Sequence, residues 1–357
     1  MGEERSEHVE NIALAWSIAL VEVTLRPDEG PFGEDEEFDW QCGDKGSRLR
    51  ICKHVAEIFL RQHRECFYMA LVTGTRTRLT RWDRCGVVVS SAFDWIANVD
   101  LLVNFFYKIA TSSRAMQDFD TSISLATDDE KAELERYRDG LRARGDRHRL
   151  QFVETMMENE CIYPIYRVST SLYPDFGPYL LLAVFQLNCE ATIDGPASSF
   201  AHAVYGKTLT LLIGQYHAHS YSLSGRGTKG YFAYVVGEGQ LVFLKLSWRS
   251  SSSDVDPEHK TYERIYAEHV EQIPQLITGE DVRHVDDKGP GRRLCTQTQE
   301  FLPSVKPFGH YAYRLVIETL GVPLAEYRDT WIMFRIVAHA FIGAPSHSSQ
   351  ADASRSL

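Results

Sequence analysis

The sequence lacks several features that would assign a chain of this length to a specialised class. Its seven cysteines, at positions 42, 52, 66, 85, 161, 189 and 295, never occur as Cys-x-x-Cys. This odd, scattered set argues against a disulfide framework or a zinc site and favours reduced thiols in the cytoplasm or nucleus. No run reaches about eighteen consecutive apolar residues, and the charged N-terminus does not fit a signal peptide, so we expect neither a membrane span nor secretion.

The chain also has no excess of positive charge. It carries 38 lysines and arginines against 49 aspartates and glutamates, a formal net charge of −11. Because nucleic acids and anionic membranes are bound through basic surfaces, we expect neither as a partner. What remains is an ordinary globular composition, with 44% hydrophobic residues and enough length, at 357 residues, for two or three domains.

The most informative stretch is 225–248, which reads GRGTKGYFAYVVGEGQLVFLKLSW. Gly225, Gly227 and Gly230 form a Gly-x-Gly-x-x-Gly run, and Lys245 closes an apolar strand further along. Such glycines let a hairpin backbone approach nucleotide phosphates, and a lysine on the third strand of a protein kinase reaches the α- and β-phosphates. A dinucleotide site is disfavoured, because β-forming residues follow Gly230 where that site needs a helix. An ordinary hairpin with a solvated lysine is the alternative.

Hydrophobic periodicity predicts the elements at the N-terminal end. We expect an amphipathic helix over 6–25, a solvated acidic loop over 28–39 and a second helix over 47–63. A β-meander should follow, with a helix starting at Ser91 after it. Its strands are predicted at 67–72, 76–82 and 87–90.

Residues 122–160 are strongly charged and predict a helical insertion on the surface. Thr127 and Glu130 fit a capping box at its start, and Gly140 and Gly145 should interrupt the helix. Two strand-like runs follow, at 163–168 and 179–187. The triplet Asp175-Phe176-Gly177 between them predicts a β-turn, and we assign it no metal.

The block RLTRWDRCGVVVSSAFDW at 78–95, followed by LLVNFFYKIA and QDFDTS, resembles the N-terminal region of the fungal-type protein kinase family. A second block, YAYRLVIETLGVPL, resembles a later part of the same family. We expect Asp83 and Arg84 to form an ion pair in a turn, and Arg314 to be structural. The residues that carry the match are Trp82, Asp83, Arg84, Gly86, Ser90, Asp120, Thr121, Arg314, Val316, Glu318, Gly321, Pro323, Leu324 and His339.

The resemblance implies ATP as a ligand of the three glycines and Lys245. In a kinase a glutamate on the next helix pairs with this lysine, and Glu258 is the first candidate for it, with Glu263 as the alternative. The hinge that hydrogen-bonds an adenine should lie at 318–320, which makes Glu318 and Leu320 the remaining cofactor-binding residues. A solvated glutamate on a helix face is the plainer interpretation of either candidate.

The sequence departs from the family after His339. No His-Arg-Asp catalytic loop occurs in it, and the residues that follow His339 read as a disordered Ser/Ala-rich tail. We therefore expect no catalytic residue, no bound Mg²⁺ and only weak ATP binding. The first interpretation is the ATP-binding small lobe of a truncated kinase that is inactive alone, and the second is a pseudokinase that binds a protein partner through its small-lobe surface. An unrelated enzyme is disfavoured, because no nucleophile and base form a recognisable pattern.

The expected fold class is α+β. A kinase-like small lobe, made of an antiparallel sheet and one helix, should follow an α+β N-terminal extension, with the large lobe essentially missing. The expected divisions are 1–45 for the N-terminal helix and acidic loop, 46–205 for the family-specific region, 206–321 for the small lobe and hinge, 322–342 for the start of the large lobe, and 343–357 for the tail.

Overall fold

The computed structural model is an α+β fold, as expected. Within its described residues, no helix is both long and apolar enough to cross a membrane. The described residues are 14–26, 30–32, 43–171, 208–268, 270, 273–286, 289–301, 309–321 and 329–343. Several predictions fall outside these ranges: the first half of the N-terminal helix, most of the acidic loop, the strand at 179–187, the Asp175-Phe176-Gly177 turn and the tail from 344 on.

The helices and strands are numbered here in chain order. The helices are α1 (Lys45–Arg61), α2 (Val99–Thr111), α3 (Asp128–Arg144), α4 (Arg147–Met156), α5 (Glu258–Ala267) and α6 (Thr330–Gly343), with a 3₁₀ helix over Thr298–Phe301. The strands are β1 (Ala19–Thr24), β2 (Cys66–Thr73), β3 (Arg76–Asp83), β4 (Gly86–Val89), β5 (Phe93–Asp94), β6 (Ile123–Leu125), β7 (Tyr166–Ser171), β8 (Thr208–Ile213), β9 (Ala218–His219), β10 (Lys229–Val235), β11 (Gln240–Ser250), β12 (Leu276–Asp281), β13 (Arg283–Asp286), β14 (Gly289–Arg293) and β15 (His310–Ile317).

The first sheet has the order β1-β2-β3-β4, with β5 paired to β3. Strands β2, β3 and β4 form the predicted antiparallel meander, and helix α1 packs on it with the predicted apolar side. Ile51, Val55 and Ile58 of α1 share one core with Phe67 and Trp82 of the strands. The predicted meander is confirmed, and the three helix residues follow the spacing of three and four that is typical of a buried helix face.

Two predictions at the N-terminal end are wrong. Residues 19–24, assigned to a helix, form β1, which pairs in parallel with β2. The sequence Val-Glu-Val-Thr within this segment alternates between apolar and polar residues and is rich in β-branched residues. Such a segment favours a strand when the edge of β2 is available for pairing. The helix expected from Ser91 begins at Val99 instead, because the carboxylate of Asp94 accepts the N–H groups of Ile96 and Ala97 and holds a turn there.

The second sheet carries the Gly-rich stretch. Its order is β12-β15-β11-β10-β8-β7-β6, with β9 paired to the start of β10. Every pairing in it is antiparallel. Helix α5 lies between β11 and β12 in the chain.

The two faces of this sheet have different coverings. Side chains alternate along a strand, so Leu244 and Lys245 of β11 point to opposite sides. The Leu244 face carries Tyr231, Val242 and Val316 in one large buried core. The Lys245 face carries Phe232, Tyr234, Leu241, Phe243 and Leu315, since cross-strand partners share a face.

The charged insertion predicted at 122–160 is a helical hairpin that exposes most of its charged residues and packs its few apolar ones on the second sheet. Its capping box at Thr127 is present, but α3 runs through Gly140 and ends only at Gly145, which adopts φ 71°. Four side chains of the α3-α4 hairpin are fully buried against Leu212, Tyr234 and Leu241 of the Lys245 face. They are Leu134, Leu141, Val153 and Met156. Apolar residues seven apart in a charged helix give too weak a stripe to predict this burial.

Buried charged side chains connect the first sheet with the segment that precedes β15. Glu65, which is 0% exposed, accepts from His284 Nε2 at 2.7 Å and lies 3.1 Å from Arg292 Nη2. Asp83 Oδ2 accepts the N–H groups of Gln297 and Thr298 at 2.8 and 2.9 Å. These carboxylates sit next to and within the first sheet, whereas their partners precede β15.

Candidate functional site

Lys245 lies in the middle of the second sheet. Its cross-strand neighbours are Gly230 on β10 and Leu315 on β15. Its ammonium group donates to both carboxylate oxygens of Glu258, at 2.8 and 2.7 Å. The Lys245 side chain is 24% exposed and that of Glu258 27% exposed, so solvent and a solute can reach the pair.

The start of helix α5 places Glu258 beside Lys245. Pro257 occupies the N-cap with φ −58°, which is well suited to a helix start, and Glu258 is the first helical residue. The hydroxyl of Tyr313 accepts the N–H of His259 at 2.9 Å and fixes this turn to β15. Glu263, the alternative candidate, pairs with Lys260 at 3.0 Å. The structure therefore brings Glu258, and not Glu263, to the lysine.

The Gly-rich run lies at the tip of the β9-β10 hairpin. Gly225 and Gly227 adopt φ 81° and 43°, in the left-handed region that favours glycine, and Gly230 lies within β10. The backbone carbonyl of Arg226 accepts the N–H of Trp248 at 2.7 Å. The Arg226 guanidinium lies 3.6 Å from Glu258. Two cations, Lys245 and Arg226, therefore approach one carboxylate.

Two of the three glycines are required for packing against the protein itself. A Cβ atom on Gly227 would lie 2.4 Å from Cζ of Arg84, and one on Gly230 would lie 2.5 Å from Cζ of Phe243. Both distances are far below van der Waals contact. The sequence pattern predicts a close approach of nucleotide phosphates to these glycines. In the structure, the side chains of Arg84 and Phe243 occupy the space next to Gly227 and Gly230.

The predicted hinge follows β15 directly. The backbone N–H of Glu318 donates to Gln275 at 2.8 Å, and its carboxylate accepts from Gln240 at 3.3 Å. Burial raises the pKa of Glu318, although the bond from Gln240 opposes the shift. Leu320 packs at the edge of the α3-α4 core. The two hinge candidates thus border the Lys245 face.

The α3-α4 hairpin covers that face between the hinge and the Gly-rich run. Phe152 of α4 stacks on Phe232, with ring centroids 4.1 Å apart. Glu133 of α3 accepts from the hydroxyl of Tyr234 and from the N–H of Gly237, both at 2.8 Å. The region around Lys245 and Arg226 can receive an anion, whereas the adjoining apolar surface is already occupied.

The turn at Asp83 differs from the expectation. Asp83 pairs with Arg81 at 2.9 Å and accepts the N–H of Cys85, while Arg84 points away. The guanidinium of Arg84 instead donates to the carbonyl of Ser222 and lies 4.8 Å from the ring centroid of Phe59. The expected Asp83–Arg84 ion pair is wrong, because Asp83 is engaged in capping the 3₁₀ helix.

Arg314 is buried and hydrogen-bonded, which agrees with the structural role expected of it. It is 2% exposed and donates to Asp120 at 2.6 Å and to the carbonyl of Ser169 at 2.8 Å. Sequence reasoning missed Arg226 and Phe152. Arg226 had a local signal, a cation inside the Gly-rich run, whereas nothing near Phe152 in the chain indicates its stacking partner.

Comparison with known proteins tests the family resemblance. No curated protein and no solved structure matches the chain significantly. A family model described as fungal protein kinase matches residues 37–165. That segment contains the first sheet from β2 onward and the α3-α4 hairpin, and it ends before the Gly-rich run. The resemblance to the fungal protein kinase family is thereby confirmed for residues 37–165, which are similar to that family.

Proposed function

We propose that the chain binds ATP as the small-lobe part of a fungal-type protein kinase. The single observation that carries this proposal is the bidentate ion pair between Lys245 on β11 and Glu258 on α5. In kinases a lysine on the third strand, held by a glutamate of the following helix, contacts the α- and β-phosphates.

The order of the surrounding elements supports the proposal. A Gly-rich hairpin precedes the lysine strand, a helix follows it, and two further antiparallel strands lead to the hinge candidates. Lys245 and Arg226 offer two positive charges to the phosphates, and a phosphate group bridging them would compete with Glu258 for both.

The arrangement fits the phosphates better than the base. A base bound beside residues 318–320 would lie on the Lys245 face, where Phe152 stacks on Phe232. Binding of the whole nucleotide is therefore weak, because α4 must move first. The sequence has no His-Arg-Asp loop, and its single Asp-Phe-Gly triplet precedes the Gly-rich run. We propose that these residues alone bind nucleotide without transferring phosphate.

A binding assay with a fluorescent ATP analogue tests the proposal. Wild type should bind, and Lys245→Met should bind at least about tenfold more weakly, a loss of about 1.4 kcal/mol. Lys260→Met removes an equal charge from a more exposed position on α5 and should bind like wild type. Replacing Mg²⁺ with EDTA should change the affinity less than about twofold, because no metal ligand is proposed.

Equal binding by wild type and Lys245→Met would exclude the lysine from the site and remove the basis of the proposal. A strong dependence on Mg²⁺ would show that the chain supplies metal ligands after all.

A second candidate function is that of an interaction module. Helix α6 exposes Trp331 and Phe334, at 67% and 65%, with their rings stacked 6.5 Å apart. An exposed apolar pair of this kind favours a protein partner at the hinge end of the small lobe. A stable complex that is lost in Trp331→Glu but kept in Lys245→Met would support this function over nucleotide binding.

A further inference from the structure

A second charged site lies on the opposite side of the sheet from Lys245. A cavity of about 50 Å³ separates the Leu244 face from the C-terminal end of α1 and the loop that follows it. One water molecule needs roughly 10–15 Å³ of such space, so the cavity is large enough for a small polyatomic ligand. The charged and titratable residues that line it are His63, Arg64, Arg84, Asp120, Lys229 and Arg314.

The lining has too few negative charges. Four cations, Arg64, Arg84, Lys229 and Arg314, face one carboxylate, Asp120, which Arg314 already engages at 2.6 Å. Each of the four is no more than 6% exposed. Buried charges are normally paired, because removing an ion from water carries a large free-energy penalty.

Neutral groups take the place of the missing carboxylates. The ammonium of Lys229 donates to the carbonyls of Phe59, Leu60 and Gln62, at 3.1, 3.3 and 3.3 Å. These lie at the C-terminal end of α1, where the helix dipole favours a cation. Arg64 donates to the side chain of Gln62 and the carbonyl of Gln117. Dipoles rather than carboxylates therefore accept these hydrogen bonds from Lys229 and Arg64.

Three donors around the cavity have no acceptor. The Nε atoms of Arg64, Arg84 and Arg314 are buried and make no hydrogen bond within the described part of the chain. A buried N–H group without an acceptor is unusual and destabilising. That all three belong to residues lining a single cavity indicates an acceptor there that the described part of the chain does not provide.

We propose that this cavity binds a small inorganic oxyanion of the phosphate or sulfate class, held by the guanidinium groups of Arg64 and Arg84 with Lys229 beside them. A tetrahedral oxyanion has several acceptor oxygens at once and forms strong charge-assisted bonds with guanidinium groups. It would neutralise part of the excess charge and satisfy the orphaned donors. This site lies on the opposite face of the sheet from Lys245, because Leu246, the cross-strand partner of Lys229, points away from the Lys245 face. Gly227 of the Gly-rich run also lines the cavity.

The electrostatics of the empty cavity agree with this proposal. Burial, with Arg84 as the next cause, lowers the pKa of Lys229 to about 7, although Asp120 opposes the shift. Burial also lowers the pKa of Arg84 to about 10. A bound anion would favour the charged forms of both side chains.

Residues singled out by sequence also converge here. Arg84, Asp120 and Arg314 are among the residues that carry the family resemblance, and none of them contacts Lys245 or Glu258 in the described structure. An anion between them would tie the first sheet, the 120–122 turn and β15 together. The proposed role of the anion is thus to hold the N-terminal region on the second sheet.

The thermal unfolding of the full chain tests the proposal. Sodium phosphate is titrated to 10 mM at constant ionic strength, balanced with the bulky gluconate anion. Wild type should gain at least about 2 °C in Tm. Arg84→Met, which keeps an unbranched apolar chain beside Phe59, should gain nothing. Arg142→Met removes an exposed arginine of α3 and Lys245→Met removes the proposed nucleotide lysine; both should gain as much as wild type.

Each other outcome overturns the proposal. An equal gain in Arg84→Met would mean a general salt effect, and loss of the gain in Lys245→Met would place the phosphate at the nucleotide site. If Arg84→Met fails to fold, crystals of wild type grown with sodium selenate decide the matter. An anomalous selenium peak in the cavity is expected, whereas density for water alone would disprove anion binding.

Discussion

Phe152 of α4 lies flat against Phe232 of β10, with ring centroids 4.1 Å apart and an angle of 25° between the planes. Phe232 is the cross-strand partner of Phe243, which precedes Lys245 by two residues on the same face. A nucleotide base bound as proposed would therefore compete with the helix hairpin for one surface. The charged insertion that the sequence predicted on the surface lies over the proposed site.

Shortening Phe152 should uncover this surface. We expect Phe152→Ala to raise the affinity for the fluorescent ATP analogue by about tenfold or more, because α4 then has less apolar contact to lose when it moves. The free energy of unfolding should fall by up to about 3 kcal/mol.

The control is Phe119→Ala, which removes the same ring from the N-terminal region away from the Lys245 face. It should lose stability without gaining affinity. Unchanged affinity in Phe152→Ala, with Lys245→Met still showing a loss, would mean that the hairpin does not obstruct the site.

The two glutamates of α5 give a second prediction. Glu258→Ala should weaken binding of the ATP analogue by about three- to tenfold, because Lys245 loses the carboxylate that orients it. Glu263→Ala should leave binding unchanged, since that side chain pairs with Lys260. Titration of both variants beside wild type checks this. A larger effect at Glu263 would contradict the assignment of the pair.

The stability of the protein should fall in mild acid because of His63. Burial, followed by the charges of Lys229, Arg314 and Arg114, holds the pKa of this histidine well below 6.5 in the folded state. The unfolded chain takes up a proton near pH 6.5, and the folded chain does not. The unfolded state then binds more protons below that pH, so the free energy of unfolding decreases as the pH falls, by up to about 1.4 kcal/mol per pH unit.

Urea unfolding at pH 6.5, 6.0 and 5.5 measures this slope below the pKa of about 7 at which Lys229 titrates in the folded state. His63→Phe should flatten it, because the aromatic packing against Tyr166 is kept while the titration is lost. His148→Gln, at an exposed position, should keep the wild-type slope. Identical slopes for wild type and His63→Phe would assign the acid sensitivity to other groups.

Gly214 should be intolerant of any side chain. A Cβ atom there would lie 2.0 Å from the carbonyl oxygen of Met156, which accepts the neighbouring N–H of Gln215 at 3.0 Å. We expect Gly214→Ala to lower the free energy of unfolding by more than about 2 kcal/mol, because the end of α4 must shift off β8. Gly321→Ala, where no atom of the described residues lies within 4 Å, should change it by less than about 0.5 kcal/mol. Chemical denaturation of both variants checks the contrast.

The pairing of Lys245 with Glu258 could be predicted because its determinants are local. The glycines, the apolar strand and Pro257 mark a hairpin, a lysine strand and a helix start within a short stretch of chain. The choice of Glu258 over Glu263 followed from the family resemblance and from its distance of thirteen residues from Lys245. The β-meander could be predicted equally well, since its strands are joined by tight turns.

The features that the sequence did not predict depend on contacts between residues that are far apart in the chain. Leu134 and Leu141 are buried because β8 and β10 present an apolar surface to them, and the charged sequence of α3 does not show that surface. Residues 19–24 became a strand because β2 had a free edge. Asp83 does not pair with Arg84, because its carboxylate accepts two backbone N–H groups from a distant segment of the chain. Tertiary contacts overrode local propensity in each case.

The buried carboxylate of Glu65 has a consequence for how the protein is made. Its partner Arg292 lies 227 residues further along the chain. At translation rates of roughly 5–20 residues per second, that interval lasts on the order of 10–45 s. During this time the carboxylate of Glu65, next to the nascent first sheet, lacks its partner Arg292 and cannot yet be buried as an ion pair. The segment matched by the family model should therefore stay open to chaperones on the ribosome and complete its interior only when the later strands emerge.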